Sequence, residues 1–135
     1  MALLNWNDEH SVGVRFLDEE HLELFRIIND LHSAVLQGEE RSRIGLLLRQ
    51  VEEYTRSHFS SEEAILAATN YPERDLHSLK HQFLVGEVEA LVDRFEQGGF
   101  MLNDQSLNFL RYWFQDHLQN DDSCYGPWLK AHGVE

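Results

Sequence analysis

The stretch His58-Phe59-Ser60-Ser61-Glu62 and the stretch His77-Ser78-Leu79-Lys80-His81 decide the reading of this sequence. Each places two metal-ligating side chains four residues apart, so on a helix both point the same way. Both segments carry a helical period. Around His58 and Glu62, the residues Ile44, Leu47, Leu48, Val51, Tyr54 and Ile65 recur at steps of three and four, which predicts a helix over residues 42–67. Around His77 and His81, the residues Leu84, Val85, Val88, Leu91, Val92 and Phe95 predict another over 72–97. Asn70-Tyr71-Pro72 closes the loop between them, Pro72 stands at the first turn of the later helix, and Gly98-Gly99 stops it.

Two further helices follow from the same period. One spans residues 18–36, with His21, Leu24, Phe25, Ile28, Leu31, His32 and Val35 on its stripe and Gln37-Gly38 at its end. The other spans 103–120, opening on Asn103 or Asp104 as N-cap, with Leu107, Leu110, Trp113, Phe114, His117 and Leu118. No strand-like alternation competes. Short loops make successive helices antiparallel, so the expected fold is all-α, an up-down-up-down four-helix bundle in a single domain. Residues 1–17, with Trp6, Val12, Val14 and Phe16, read as an ordered arm on the outside. The tail Tyr125-Gly126-Pro127-Trp128 reads the same way.

The chain has 135 residues, of which 24 are acidic and 11 are Lys or Arg, for a formal charge of −13. No basic cluster is present to neutralise phosphates, which argues against nucleic acid and against anionic membranes as partners. Apolar runs are far shorter than the roughly 20 residues that span a bilayer. Cys124 is the lone cysteine, so no internal disulfide can form, and the N-terminus lacks the pattern of a secretory leader. A reducing, cytoplasmic setting is expected.

Five of the eight histidines, His21, His58, His77, His81 and His117, lie on inward stripes, and Glu62 joins them. A carboxylate facing a core needs a partner, because burying it unpaired costs several kcal/mol or forces it to take up a proton. Depth gives an independent check. In an up-down-up-down bundle the start of the first helix, the end of the second, the start of the third and the end of the fourth share one end. The six residues sit roughly 5 to 14 Å from that end at about 1.5 Å per residue, so they can converge. After His117 a second acid is available at Asp121, favoured by helical spacing, or at Asp122, reachable if the last turn loosens into a π-type turn. Spacing leaves both open.

Five imidazoles and two carboxylates exceed the four ligands of a structural zinc site, and no cysteine supports one. The mixed nitrogen and oxygen set suits two transition ions, iron or manganese foremost. Two six-coordinate ions offer about 12 positions. Five imidazoles, two bridging carboxylates and a bridging hydroxide leave one of these open, room for one small diatomic molecule. No Glu-x-x-His pair stands at matching bundle positions, unlike the carboxylate-rich di-iron bundles that attack C–H bonds.

The sequence resembles the stand-alone prokaryotic hemerythrins, the bacteriohemerythrins, over essentially its whole length. The resemblance rests on Trp6 and Val12-Gly13, Asp18-Glu19-Glu20-His21, His58-Phe59-Ser60-Ser61-Glu62-Glu63, His77-x-x-x-His81, Trp113-x-x-x-His117-x-x-x-x-Asp122 and Tyr125-Gly126-Pro127. It implies reversible binding of dioxygen, for carriage, storage or delivery, at two non-heme iron ions joined by an oxo or hydroxo bridge. It selects Asp122 over Asp121 as the second bridging carboxylate beside Glu62. It further implies that His77, His81 and His117 hold one iron, and that His21 and His58 hold the other, which keeps an open position. Leu24, Phe59, Trp113, Phe114 and Leu118 are the matching apolar lining of the oxygen pocket. No catalytic residue is implied, the expected recipient is an oxygen-consuming enzyme, and the expected state is a monomer.

Two positions depart from the family pattern. Glu20 stands where Gln is frequent, which alters a hydrogen bond near one iron, and Phe114 replaces a Leu, which narrows the pocket. The alternatives are a di-iron peroxide or nitric oxide reductase, which lacks an obvious proton donor, and an oxygen or redox sensor, which in the family is usually fused to a signalling module not expected here. His10, His32 and His132 are expected at the surface or in packing. Glu63 is expected in solvent, and Cys124 is expected to be a buried or incidental thiol.

Overall fold

A computed structural model describes residues 3–98 and 102–135. Four long helices, α1 (Arg15–Leu36), α2 (Arg41–Ala68), α3 (Arg74–Glu96) and α4 (Asp104–Asn120), form the expected bundle, and a short α5 (Gly126–Ala131) closes one end. α2 packs against both α1 and α3, and α4 packs against α1. The Trp113 indole on α4 donates to the Leu84 carbonyl on α3 at 3.0 Å, joining the remaining pair of helices. Among the described residues, no helix is long and apolar enough to cross a membrane.

The helix boundaries follow local chemistry. Asn103 caps α4, its side chain accepting from the Ser106 amide, so the N-cap is Asn103 rather than Asp104. Gly38 after α1 and Gly98 after α3 take positive φ, the left-handed conformation that ends a helix at low cost only with glycine. Gly99 of the expected stop signal lies outside the described residues. α1 begins three residues earlier than the periodicity indicates, at Arg15. The carboxylate of Asp18 folds back to accept from Ser11 Oγ and the Val12 amide, which fixes the entry turn. α3 begins two residues later, at Arg74. Pro72 therefore sits in the turn before the helix, where the Tyr71 carbonyl accepts from both the backbone and the guanidinium of Arg74.

The arm and tail belong to the core rather than to its outside. Leu4, His10, Val12 and Val14 are buried, while Phe16, now the second residue of α1, is largely exposed. Leu4 is held by a two-way pair of 2.8 Å hydrogen bonds with the Asn29 amide. Tyr125 and Leu129 are fully buried beneath α5. Gly126 is required here, since a Cβ would lie 2.4 Å from the Val12 carbonyl oxygen. The inward stripe of α2 is turned slightly from the expected one. Thr55 and Leu66 are buried, whereas Tyr54 and Ile65 stand half-buried at its edge.

Candidate metal centre

At the α5 end of the bundle, His21 (α1), His58 and Glu62 (α2), His77 and His81 (α3), His117 (α4) and Asp122 meet in a volume closed to solvent, each at most 4% exposed. Glu62 is bifurcated. Its Oε2 lies 3.0 Å from His21 Nε2 and 2.7 Å from His58 Nε2, while its Oε1 lies 2.9 Å from His77 Nε2 and 3.3 Å from His81 Nε2. Asp122 divides in the same way. Its Oδ2 is 3.2 Å from His21 Nε2, and its Oδ1 is 3.0 Å from both His77 Nε2 and His117 Nε2. The side chains thus fall into two overlapping groups, His21 with His58, and His77 with His81 and His117, sharing both carboxylates.

Several of these atoms are not satisfied by one another. His58 Nε2 and both Asp122 oxygens are buried without a well-formed hydrogen bond. His81 Nε2 and His117 Nε2 point at each other 3.1 Å apart. Lone pairs converging from five nitrogens and two carboxylates are the donor set of cations, and two overlapping groups suit two of them.

Residues 12–129 match the family model described as the hemerythrin HHE cation binding domain. The chain belongs to the hemerythrin family. Its relatives include a bacteriohemerythrin from Methylococcus capsulatus, 34% identical over 97% of this chain and 100% of that protein. Another, from Stenotrophomonas maltophilia, is 32% identical over 98% of this chain and 85% of the relative. Among solved structures, a wild-type hemerythrin superposes with a TM-score of 0.88 at 33% identity, covering 93% of this chain and 97% of that one.

The choice between Asp121 and Asp122 in this hemerythrin is made by where α4 stops. The helix ends at Asn120, and residues 122–124 form a tight 3-10 turn, so no π-type turn is needed. Asp121 stays on the helical path, one turn beyond His117 and outside the site. It accepts from His117 Nδ1 at 2.8 Å and from Lys80 Nζ at 2.5 Å. The altered turn carries Asp122 inward.

Asp121 is one of three carboxylates placed behind the imidazoles. His58 Nδ1 donates to Glu20 at 2.7 Å, and His81 Nδ1 donates to Glu63 at 2.9 Å. Glu63 also accepts from Ser78 Oγ, so it is a structural partner of the site rather than a solvated side chain. A proton held on Nδ1 leaves the Nε2 lone pair facing inward, fixes the ring's orientation and raises its basicity. Sequence reasoning placed Glu20 near the site but missed the role of Glu63. The available signal was that Glu63 directly follows Glu62, as Asp121 precedes Asp122 and Glu20 precedes His21.

Electrostatics reinforce the geometry. Burial alone would lower the His58 imidazole, but the Glu62 charge and the contacts with Glu20 and Glu62 outweigh it and raise it to about 9. Burial is likewise overcome at His77, raised to about 9 by Asp122 and Glu62, and at His117, raised to about 10 by Asp122 and Asp121. Glu62 stays well below the carboxylate range despite burial, held there by His58, His21 and His77. Asp122 is also held low, by His117 and His21, against both burial and the like charge of Glu62. Two adjacent buried carboxylates kept ionised form a site that requires positive charge.

The five apolar residues named from the sequence are all buried. Phe59 stacks on His81, ring centroids 3.7 Å apart and planes 3° from parallel, and also touches His117 edge-on. Phe114 meets His21 edge-on at 6.0 Å and Phe25 at 5.4 Å. Tyr125 joins the site unanticipated. Its ring packs on His77, and its buried hydroxyl faces Glu62 without a well-formed bond. Burial, then Asp122 and Glu62, push that phenol well above its ordinary value, so it stays protonated. His10 is buried against Trp6 and Phe25, a packing role as expected. Cys124 is exposed rather than buried, its thiol donating to the Asn120 carbonyl.

Proposed function

We propose that this hemerythrin binds dioxygen reversibly, without catalysing its reduction, and serves to carry, store or deliver it. The observation that carries the reading is the division of Glu62 and Asp122, each turning one oxygen to His21 or His58 and the other to His77, His81 or His117. In this reading His77, His81 and His117 would hold one iron and His21 and His58 the other, with Glu62 and Asp122 available to both. Two irons joined by an oxo or hydroxo bridge would supply the reversible redox chemistry that dioxygen uptake needs.

The chain's own contribution is selectivity and dryness. Leu24, Phe59, Trp113, Phe114 and Leu118, all buried, would line the site with hydrocarbon, which excludes water and anions. Glu20 sits behind His58 on Nδ1, where it orients the ring and does not face the interior. That placement favours a carrier over a peroxide or nitric oxide reductase, whose chemistry needs a proton donor at the open position, and the Tyr125 phenol packs instead on His77, in the other histidine group. A cytoplasmic setting with an oxygen-consuming enzyme as recipient completes the reading.

Anaerobic reconstitution with ferrous iron, followed by metal counting and cycles of oxygen and argon under visible spectroscopy, tests it. The expected result is about two irons per chain, on the donor arithmetic above, and an absorption band that appears with oxygen and disappears on its removal. One zinc per chain, or no oxygen-dependent band, would overturn the proposal. Fast turnover of added peroxide with a reductant would make the protein an enzyme instead.

A further inference from the structure

The three carboxylates behind the imidazoles are not equivalent. Asp121, behind His117, is balanced by Lys80, whose ammonium lies 2.5 Å from the other oxygen of the carboxylate. Glu63, behind His81, also takes the Ser78 hydroxyl on its second oxygen. Both serve the group of three histidines. Glu20, behind His58, serves the group of two, and its one ion-pair partner among the described residues is His58 itself. The arginines of its own helix are engaged by other acids, Arg15 by Glu19, and Arg26 by Glu23 and Asp30.

The second imidazole of that group has no such partner. His21 Nδ1 is buried without a hydrogen bond, so among the described residues the Glu20–His58 contact is the one link between the two-histidine group and a charge behind it. The link is short. It sets the His58 Nδ1 proton 2.7 Å from a carboxylate oxygen, while Nε2 of the same ring faces Glu62 Oε2 at 2.7 Å. A charged acceptor pulls on that proton more strongly than a neutral amide does, which makes the ring a stronger electron donor at Nε2. Glutamine, frequent at this position in the family, accepts the same hydrogen bond through its carbonyl oxygen and orients the ring equally well, but it brings no charge.

We propose, resting on the two-iron reading of the site, that Glu20 is a positioning residue whose charge, acting through His58, biases the iron pair toward its oxidised state and so tightens the hold on dioxygen. Uptake moves two electrons from the iron pair to dioxygen, and release returns them. Whatever stabilises the higher metal charge therefore favours the bound state, and an anion behind a ligand at the edge of a dry interior does so. Glu20 neither gives nor takes a proton in this exchange, because it meets the outer nitrogen of His58 and does not face the interior. A chain with glutamate here is suited to holding dioxygen when supply is low, and a chain with glutamine to exchanging it freely.

Redox titration of the full-length, iron-loaded protein under argon tests this, with oxygen half-saturation measured alongside. Glu20→Gln should weaken oxygen binding about tenfold, the lower end of what losing a partner behind a ligating histidine does, since the hydrogen bond itself is kept. The midpoint potential of the iron pair should rise to match, by about 30 mV if the couple takes two electrons together. Iron per chain and melting temperature should stay at their wild-type values. Glu19→Gln removes the same charge one residue away, on an exposed side chain paired with Arg15, and should leave the potential where it was. An unchanged potential in Glu20→Gln, or an equal rise in Glu19→Gln, would overturn the role of Glu20 and leave the carrier reading standing. A wild-type protein with no oxygen-dependent band would instead overturn the carrier reading and, with it, the effect on dioxygen.

Discussion

Asp121 and Asp122 are neighbours of identical chemistry with different duties. Asp122 is fully buried among the imidazoles, and Asp121 is partly exposed between His117 and Lys80. Asp122→Asn removes one of two shared anions, and it is expected to abolish stoichiometric metal binding, read as metal per chain after gel filtration. Asp121→Asn leaves the donor set intact. It should keep the metal but weaken it by about 10- to 100-fold, the usual consequence of losing a partner behind a ligating histidine, measured by chelator competition. Equal losses in the two variants would refute this division. His58, Glu62, His77 and His81 were legible in the sequence because helical spacing fixes side-chain direction within a turn. The roles of Glu63 and Tyr125 were not, because each depends on a neighbour from another element, Glu63 on His81 and Tyr125 on His77 and Glu62.

At the scale of elements, the four long helices could be read from periodicity, and their ends could be read less well. α1 and α3 start where Asp18 and Tyr71 make specific hydrogen bonds, and hydrophobic spacing does not report such contacts. The arm and α5 carry too few residues for a period to show which face is buried. Their contact is nevertheless tight. Gly126→Ala drives a methyl against the Val12 carbonyl oxygen, and the expected loss is about 1 to 3 kcal/mol, the usual cost of overpacking, seen as a lower melting temperature. An unchanged melting temperature would show that α5 can move away from the arm freely.

For the whole molecule, stability depends on what neutralises the buried acids. Without metal, the protons on His58, His77 and His117 do so. Their folded values of about 9, 9 and 10 lie above the ordinary 6.5, so their stabilisation is complete below about 6.5 and fades as pH rises through 9 to 10. Glu62 and Asp122 are shifted down, so their contribution holds above the ordinary 4.5 and 3.8 and is lost on acidification. The metal-free protein is therefore expected to be most stable in mildly acidic solution and to melt lower toward pH 10. The metal-loaded protein should resist that alkaline loss, since cations replace the protons, and its metal affinity should fall as pH is lowered. Melting curves of both forms across this range provide the check. The sequence by itself determined the helices and the ligands one turn apart, because both are properties of a single helix's geometry. Spacing left open which acid enters the site, a choice the family resemblance made and the end of α4 explains; only the tertiary structure decided which acids stand behind the histidines and how the two carboxylates divide between the groups. Those outcomes depend on where α4 ends and on contacts between helices distant in sequence, which no local spacing encodes.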